Sequence, residues 1–195
     1  ESLLTSRCSP SCNVGSMDYM FAGCRSLETL NVQHFNTLNV GYVNNMFESC
    51  TSLEELTLPE SVNRIGGSAF YNCFLLSSIT IPKGVGEIGD YTFNGCRELT
   101  SIVIPEGVTR IGSFAFFGCS NLASVTIPKS VKSIDGVAFK DCKSLTSVEI
   151  PEGVKCIDYA TFSDCRKLTS VKIPASIEKI GFEAFKNCSK MTIHA

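Results

Sequence analysis

The sequence predicts a solenoid of short, stacked, parallel β-strands, with a curved sheet on the concave side and turns and short helical or 3-10 segments on the convex side. Three observations carry this. Cys50, Cys73, Cys96, Cys119, Cys142, Cys165 and Cys188 recur every 23 residues, and Cys24 precedes the first of them by 26. A Phe stands three residues before each of the eight, from Phe21 to Phe185. A Leu stands three residues after each, from Leu27 to Leu168, with Met191 closing the series. A unit this short cannot bury its own apolar side chains, so each must be covered by the next.

Counted from the cysteine, the unit reads C-x-x-L-x-S-[IV]-x-I-P-x-[GS]-V-x-x-I-[GD]-x-x-[AT]-F-x-x. Its first half alternates with period 2 and is β-branched, as in Leu99, Ile102 and Ile104, so it reads as a strand with one face inward. Pro59, Pro82, Pro105, Pro128, Pro151 and Pro174 then stop that strand, because proline has no amide to donate to a ladder. A Gly or Ser two residues later, as in Pro105-Glu106-Gly107, completes a turn signal. The second half, Val108, Ile111, Ala115 and Phe116 in one unit, is too short for an independent helix and is expected to form a single helical or 3-10 turn. The residue before each cysteine is Gly, Ser, Asn or Asp, types that tolerate the left-handed conformation of a tight turn. This is the pattern of a leucine-rich-repeat solenoid.

Residues 1–13 fit no unit, and residues 14–195 form one solenoid domain. Within it, 14–49 carry longer Asn- and Met-rich repeats, 50–187 carry six 23-residue repeats, and 188–195 are a truncated last repeat.

Composition narrows the function. Of 195 residues, 44% are hydrophobic, too many for a disordered chain, and 17 Lys and Arg nearly balance 19 Asp and Glu. That balance offers no basic stripe for nucleic acid. No apolar run approaches the ~18 residues of a membrane span.

Chemistry was sought first among the cysteines. Zinc sites draw on cysteine pairs two to four residues apart that converge. Only Cys8 and Cys12 are so close, and the only histidines are His34 and His194. No metal or cofactor is expected. The ladder cysteines are expected to be buried free thiols, since bridging every neighbouring pair would strain each unit. Cys8 and Cys12 either pair as a terminal staple or do not. Cys156 takes a position filled elsewhere by Arg64, Glu87, Arg110, Ser133 and Lys179, so it is expected to be exposed, as a reactive or an incidental thiol. The one glycosylation sequon, Asn187-Cys188-Ser189, overlaps a ladder cysteine and is expected to be buried.

The outward strand positions are the candidate ligand contacts: Ser78, Thr80, Ser101, Val103, Ser124, Thr126, Ser147, Glu149, Ser170 and Lys172. Earlier units supply Thr29, Asn31, Glu55 and Thr57. A serine nucleophile needs a base within reach, and no histidine shares this face, so the chain is read as a non-enzyme. After each proline the charge alternates, Glu60, Lys83, Glu106, Lys129, Glu152, which would oppose like charges after a slip of one unit. Tyr71, Tyr91, Phe114, Phe117, Tyr159 and Phe182 are extra to the repeating Phe and serve either as an exposed patch or as packing between turns.

Units such as "CRELTSIVIPEGVTRIGSFAFFG" and "CSNLASVTIPKSVKSIDGVAFKD" resemble the leucine-rich repeats of BspA-like surface proteins of bacteria and protozoa. The stretch "MFAGCRSLETLNVQHFNTLNVGYVNNMFESC" is similar to the longer repeat found beside them. The resemblance covers about residues 14–195 and implies a secreted or surface-anchored, adhesin-like module. Its partner would be a protein of a host or neighbouring cell, with matrix proteins such as fibronectin as the ligand class. The ends depart from the pattern, as expected of a fragment. The expected function is non-catalytic protein binding by an extracellular or cell-surface monomer. The alternative is a structural spacer that projects a binding domain lying elsewhere.

Overall fold

The computed structural model describes residues 16–33, 43–188 and 191–194. Cys8, Cys12, His34 and the segment 1–13 lie outside the described residues. Each 23-residue unit makes one turn of a parallel β-solenoid. Its first half supplies a three-residue strand: β1 (Glu55–Thr57), β2 (Ser78–Thr80), β4 (Ser101–Val103), β6 (Ser124–Thr126), β8 (Ser147–Glu149), β10 (Ser170–Lys172) and β12 (Thr192–His194). The middle residue points inward and its neighbours outward, as Glu55, Leu56 and Thr57 alternate exposed, buried, exposed. Register is strictly in step: Ser101 pairs with Ser124, Ile102 with Val125 and Val103 with Thr126.

The expected single sheet is broken into hydrogen-bonded groups, β1-β2, β4-β6 and β8-β10-β12. A second parallel ladder, which the sequence reading did not anticipate, runs along the other half of the unit. It comprises β3 (Glu87–Ile88), β5 (Arg110–Ile111), β7 (Ser133–Ile134), β9 (Cys156–Ile157) and β11 (Lys179–Ile180). The isoleucine of β3, β5, β7 and β9 is buried in the core, and Ile88 and Ile111 have no exposed surface.

The helical or 3-10 segments expected on the convex side are absent: among the described residues there is no helix. Turns replace them, because alternate amides are used between units. Ser68, Phe70 and Asn72 donate to the carbonyls of Asp90, Thr92 and Asn94 in the next unit at 2.9, 2.8 and 2.8 Å. The amides between them close short turns, Tyr71 to Ser68 and Cys73 to Phe70. A chain that sends every second amide to its neighbour has none left for a helix. The residue before each cysteine is left-handed as expected, for example Asn72 at φ 58° and Gly118 at 71°. A second left-handed residue sits five before the cysteine: Tyr19, Asn45, Ser68, Tyr91, Phe114, Val137, Ala160 and Glu183. Such diverse types left no sequence signal, and at Val137 (φ 65°) a β-branched side chain is held there by the stack.

The core is built in columns. The rings of Phe21, Phe47, Phe70, Phe93, Phe116, Phe139, Phe162 and Phe185 stack face on face, with centroids 5.0–5.6 Å apart and planes within 13°. Parallel planes at that centroid separation mean offset stacking, the favourable arrangement of the ring quadrupole. Leu53, Leu76, Leu99, Leu122, Leu145 and Leu168 form a second column with no exposed surface. Each buried Leu or Phe contributes roughly 1.5–3 kcal/mol by leaving water.

Gly118 and Gly86 test the backbone account. A Cβ at either would meet nothing within 4 Å, but only Gly118 has a positive φ. Gly118→Ala should cost about 1 kcal/mol and lower the melting temperature by about 2–4 °C. Gly86→Ala should leave it level or raise it. Equal shifts in thermal denaturation would refute the account.

Candidate functional site

The outward strand residues form one continuous face. Ser78, Thr80, Ser101, Val103, Ser124, Thr126, Ser147, Glu149 and Lys172 are exposed, and Ser170 is half-buried. In-step register places like positions side by side, roughly 4.8 Å apart from strand to strand. None of the hydroxyls of Ser78, Ser101, Ser124 and Ser147 is hydrogen-bonded within the described chain. By contrast, the hydroxyls one position earlier in their units are used: Ser77, Thr146 and Thr169 donate to the carbonyls of Glu54, Ala123 and Thr146. The face is thus a row of free small hydroxyls over a rigid apolar backing.

Its two charges at the C-terminal end answer each other. Lys172 Nζ lies 2.6 Å from Glu149 Oε1 across the β8–β10 pair. The carboxylate holds the Lys172 ammonium above its ordinary range. Both groups are well exposed, and such a pair contributes little to stability.

The ladder cysteines do more than fill space. From Cys50 to Cys188 each thiol donates to the carbonyl of the Phe in the preceding unit, for example Cys73 to Phe47 at 3.1 Å and Cys96 to Phe70 at 3.2 Å. That carbonyl also accepts the amide of its own unit's cysteine, so both its lone pairs are used. Cys50, Cys73, Cys96, Cys119, Cys142 and Cys165 are buried free thiols. The expectation fails at the ends, where Cys24 is exposed and Cys188 half-buried, because no described unit covers them on the far side. Burial pushes the thiols up, Cys50 to about 11 and the central ones further.

Cys156 is half-buried rather than exposed, since it is a residue of β9 hemmed between β7 and β11. Asn187 of the sequon is exposed rather than buried, and its amide donates to Asp164 at 2.8 Å. The alternating series Glu60, Lys83, Glu106, Lys129 and Glu152 is exposed, and no ion pair joins its members: after the proline the chain runs through an open turn. The electrostatic clamp lies instead on the second ladder. Arg110 Nη2 is 2.6 Å from both Asp90 of the preceding unit and Asp135 of the following one, with Glu87 at 3.9 Å. The extra aromatics pack between turns: Tyr91 stacks on Phe114 at 4.8 Å, and Tyr159 on Phe182 at 6.4 Å. Phe182 nonetheless stays 77% exposed. Among the described residues no three His, Cys, Asp or Glu side chains gather to hold a metal ion, and no helix is long and apolar enough to cross a membrane.

Comparison with known proteins supports the same architecture. The family model described as the BspA type leucine rich repeat region matches residues 13–100 and 86–194, with 6 copies of the repeat. The chain belongs to the BspA-type leucine-rich repeat family. A crystal structure of a T. pallidum leucine-rich repeat protein is 36% identical to this BspA-type chain, covering 78% of it and 72% of the T. pallidum chain, with a TM-score of 0.73. A Bacteroides ovatus leucine-rich repeat protein is 25% identical over 90% of this chain and 57% of its own, with a TM-score of 0.52. One from Eubacterium ventriosum shares the fold at 24% identity and a TM-score of 0.62, over 77% of this chain and 46% of its own. This chain therefore spans about half the length of the latter two. No curated protein matches it.

The thiol ladder of this BspA-type chain makes its stability sensitive to alkali. Folded, the thiols stay protonated; unfolded, they ionise near the ordinary ~8.5. Above that pH the unfolded chain binds fewer protons, so stability is complete below ~8.5 and falls as pH rises toward about 11 and beyond. Each buried thiol adds a slope of up to about 1.4 kcal/mol per pH unit. Urea denaturation between pH 8 and 11 should show a shallower loss for Cys119→Ala than for the parent. Identical slopes would exclude the thiols as the cause.

Proposed function

We propose that this BspA-type module is a non-catalytic binder of extracellular protein, working at the cell surface or after secretion, and that its contact surface is the outward face of the strand sheet from Ser78 to Lys172. The observation that carries the reading is the row of exposed hydroxyls, unpaired within the chain and held in step by the ladder beneath. A partner laid on such a face orders few side chains, because small hydroxyls on short strands have little rotamer freedom to lose. The near balance of acidic and basic residues suits a protein partner rather than a polyanion. The family membership points the same way, with matrix-type proteins as the ligand class.

The test is retention of the purified chain on immobilised matrix proteins, fibronectin among them, by surface plasmon resonance. Ser124→Arg together with Ser147→Arg, both outward and exposed, should weaken the retained interaction at least about tenfold. Retention unchanged by this pair would move the contact elsewhere, and no retention on any matrix protein would defeat the ligand class.

A further inference from the structure

The sheet face is not uniform. Along its second outward row the residues run Asn31, Thr57, Thr80, Val103, Thr126, Glu149 and Lys172, and Val103 alone is apolar. It is 67% exposed, in a place where its neighbours carry hydroxyls. The ladder also breaks beside it. β1 is bonded to β2 and β4 to β6, while neither β2 and β4 nor β6 and β8 are joined in one ladder. At the two breaks the middle residue of the strand, Ile79 or Val125, is only half-buried, whereas Leu56, Ile102 and Val148 are buried; Val103 stands beside the first of them. The result is a cleft of about 530 Å³ with an apolar floor of Ile79, Ile81, Val103 and Pro105. Lys83 and Glu106 stand on its rim, opposite in sign and with no ion-pair partner among the described residues.

We infer that the Val103 cleft is the specificity pocket of the binding face, seating one aliphatic or aromatic side chain of an extended partner polypeptide, with oppositely charged residues on either side of it engaging Lys83 and Glu106. This rests on the reading of the sheet face as a protein-binding surface and names the spot that selects the partner. The floor supplies the hydrophobic gain, as an anchor side chain in a desolvated pocket does. The rim supplies the discrimination. One cation and one anion, each lacking a partner, are complementary to a polypeptide that carries both signs close together. A phosphate-bearing ligand would face Glu106 as a like charge, and no lining residue is aromatic enough to offer a stacking platform for a sugar ring.

The probe is a phage library of random linear dodecapeptides panned on the purified chain, followed by fluorescence anisotropy with the synthetic winners. The expected consensus is a single large apolar residue flanked by an acidic residue on one side and a basic residue on the other. Val103→Thr installs the residue of the neighbouring strands, so folding is not at issue, and it should weaken the winners about 3–10-fold; Val103→Asp should weaken them at least about 30-fold. Lys179→Glu, exposed on β11 of the other ladder, should change them less than about threefold. Lys83→Glu with Glu106→Lys should reverse the preferred order of charges. Winners that are lost on Ser147→Arg but indifferent to Val103→Asp would overturn the cleft and leave the sheet-face reading standing. Winners indifferent to both, or no winners at all, would overturn both.

Discussion

Everything in this molecule depends on unit covering unit at a fixed interval. The ring of Phe93 has no covering within its own unit; Phe70 lies against one face and Phe116 against the other, at 5.3 Å each. The same holds for the polar groups beneath. The carbonyl of Phe70 is satisfied by a thiol 26 residues on, and the amide of Phe70 by a carbonyl 22 residues on. The same contacts hold across the 26-residue interval, where Cys50 donates to Phe21 at 3.0 Å and Phe21 stacks on Phe47, so what is fixed is the stacking of equivalent residues rather than the count between them. The stability of such a chain is a sum of neighbour contacts, and its weak points are the ends. Among the described residues Ile180, last of its column, is 49% exposed, while Ile157, one unit earlier, is 1% exposed.

The fold was legible because buried positions in a solenoid repeat with their neighbours. Phe, Cys, Leu and the strand isoleucines must be alike from unit to unit, since each packs against its own copy. The left-handed turn before the cysteine was legible for a related reason: Gly, Asn and Asp tolerate that conformation and recur there. The second ladder was missed because its strands are two residues long, too short for an alternation to register, although Ile at a constant place beside Arg110 or Ser133 marked it. On the convex side local propensity alone favours a helical turn over solvated coil. Its true competitor was the next unit, whose carbonyls claim alternate amides.

The site was legible only in outline. Which residues face outward followed from period 2, and the structure places all ten on one face. What joins them did not follow. The register charges were expected after the prolines, where the chain is open and nothing holds two side chains together. The working clamp is Arg110, on a strand that fixes its Cα between Glu87 and Ser133 and so brings Asp90 and Asp135 within reach. A salt link forms where the backbone has already brought the partners together. The same logic explains why Glu149 and Lys172, paired in register across β8 and β10, form an ion pair.

In a repeat protein the features that build the fold are by necessity the ones every unit shares, so they cannot distinguish one partner from another. Discrimination has to come from departures. A serine at every rung presents the same surface to any polypeptide, and the hydroxyl row alone would bind broadly. Val103 departs in chemistry, beside one of the two breaks in the strand sheet. A partner that slides along the row by one unit keeps its contacts with serine but loses that pocket. The aperiodic cleft therefore fixes position along an otherwise periodic surface, as a single polar residue fixes register in a coiled coil.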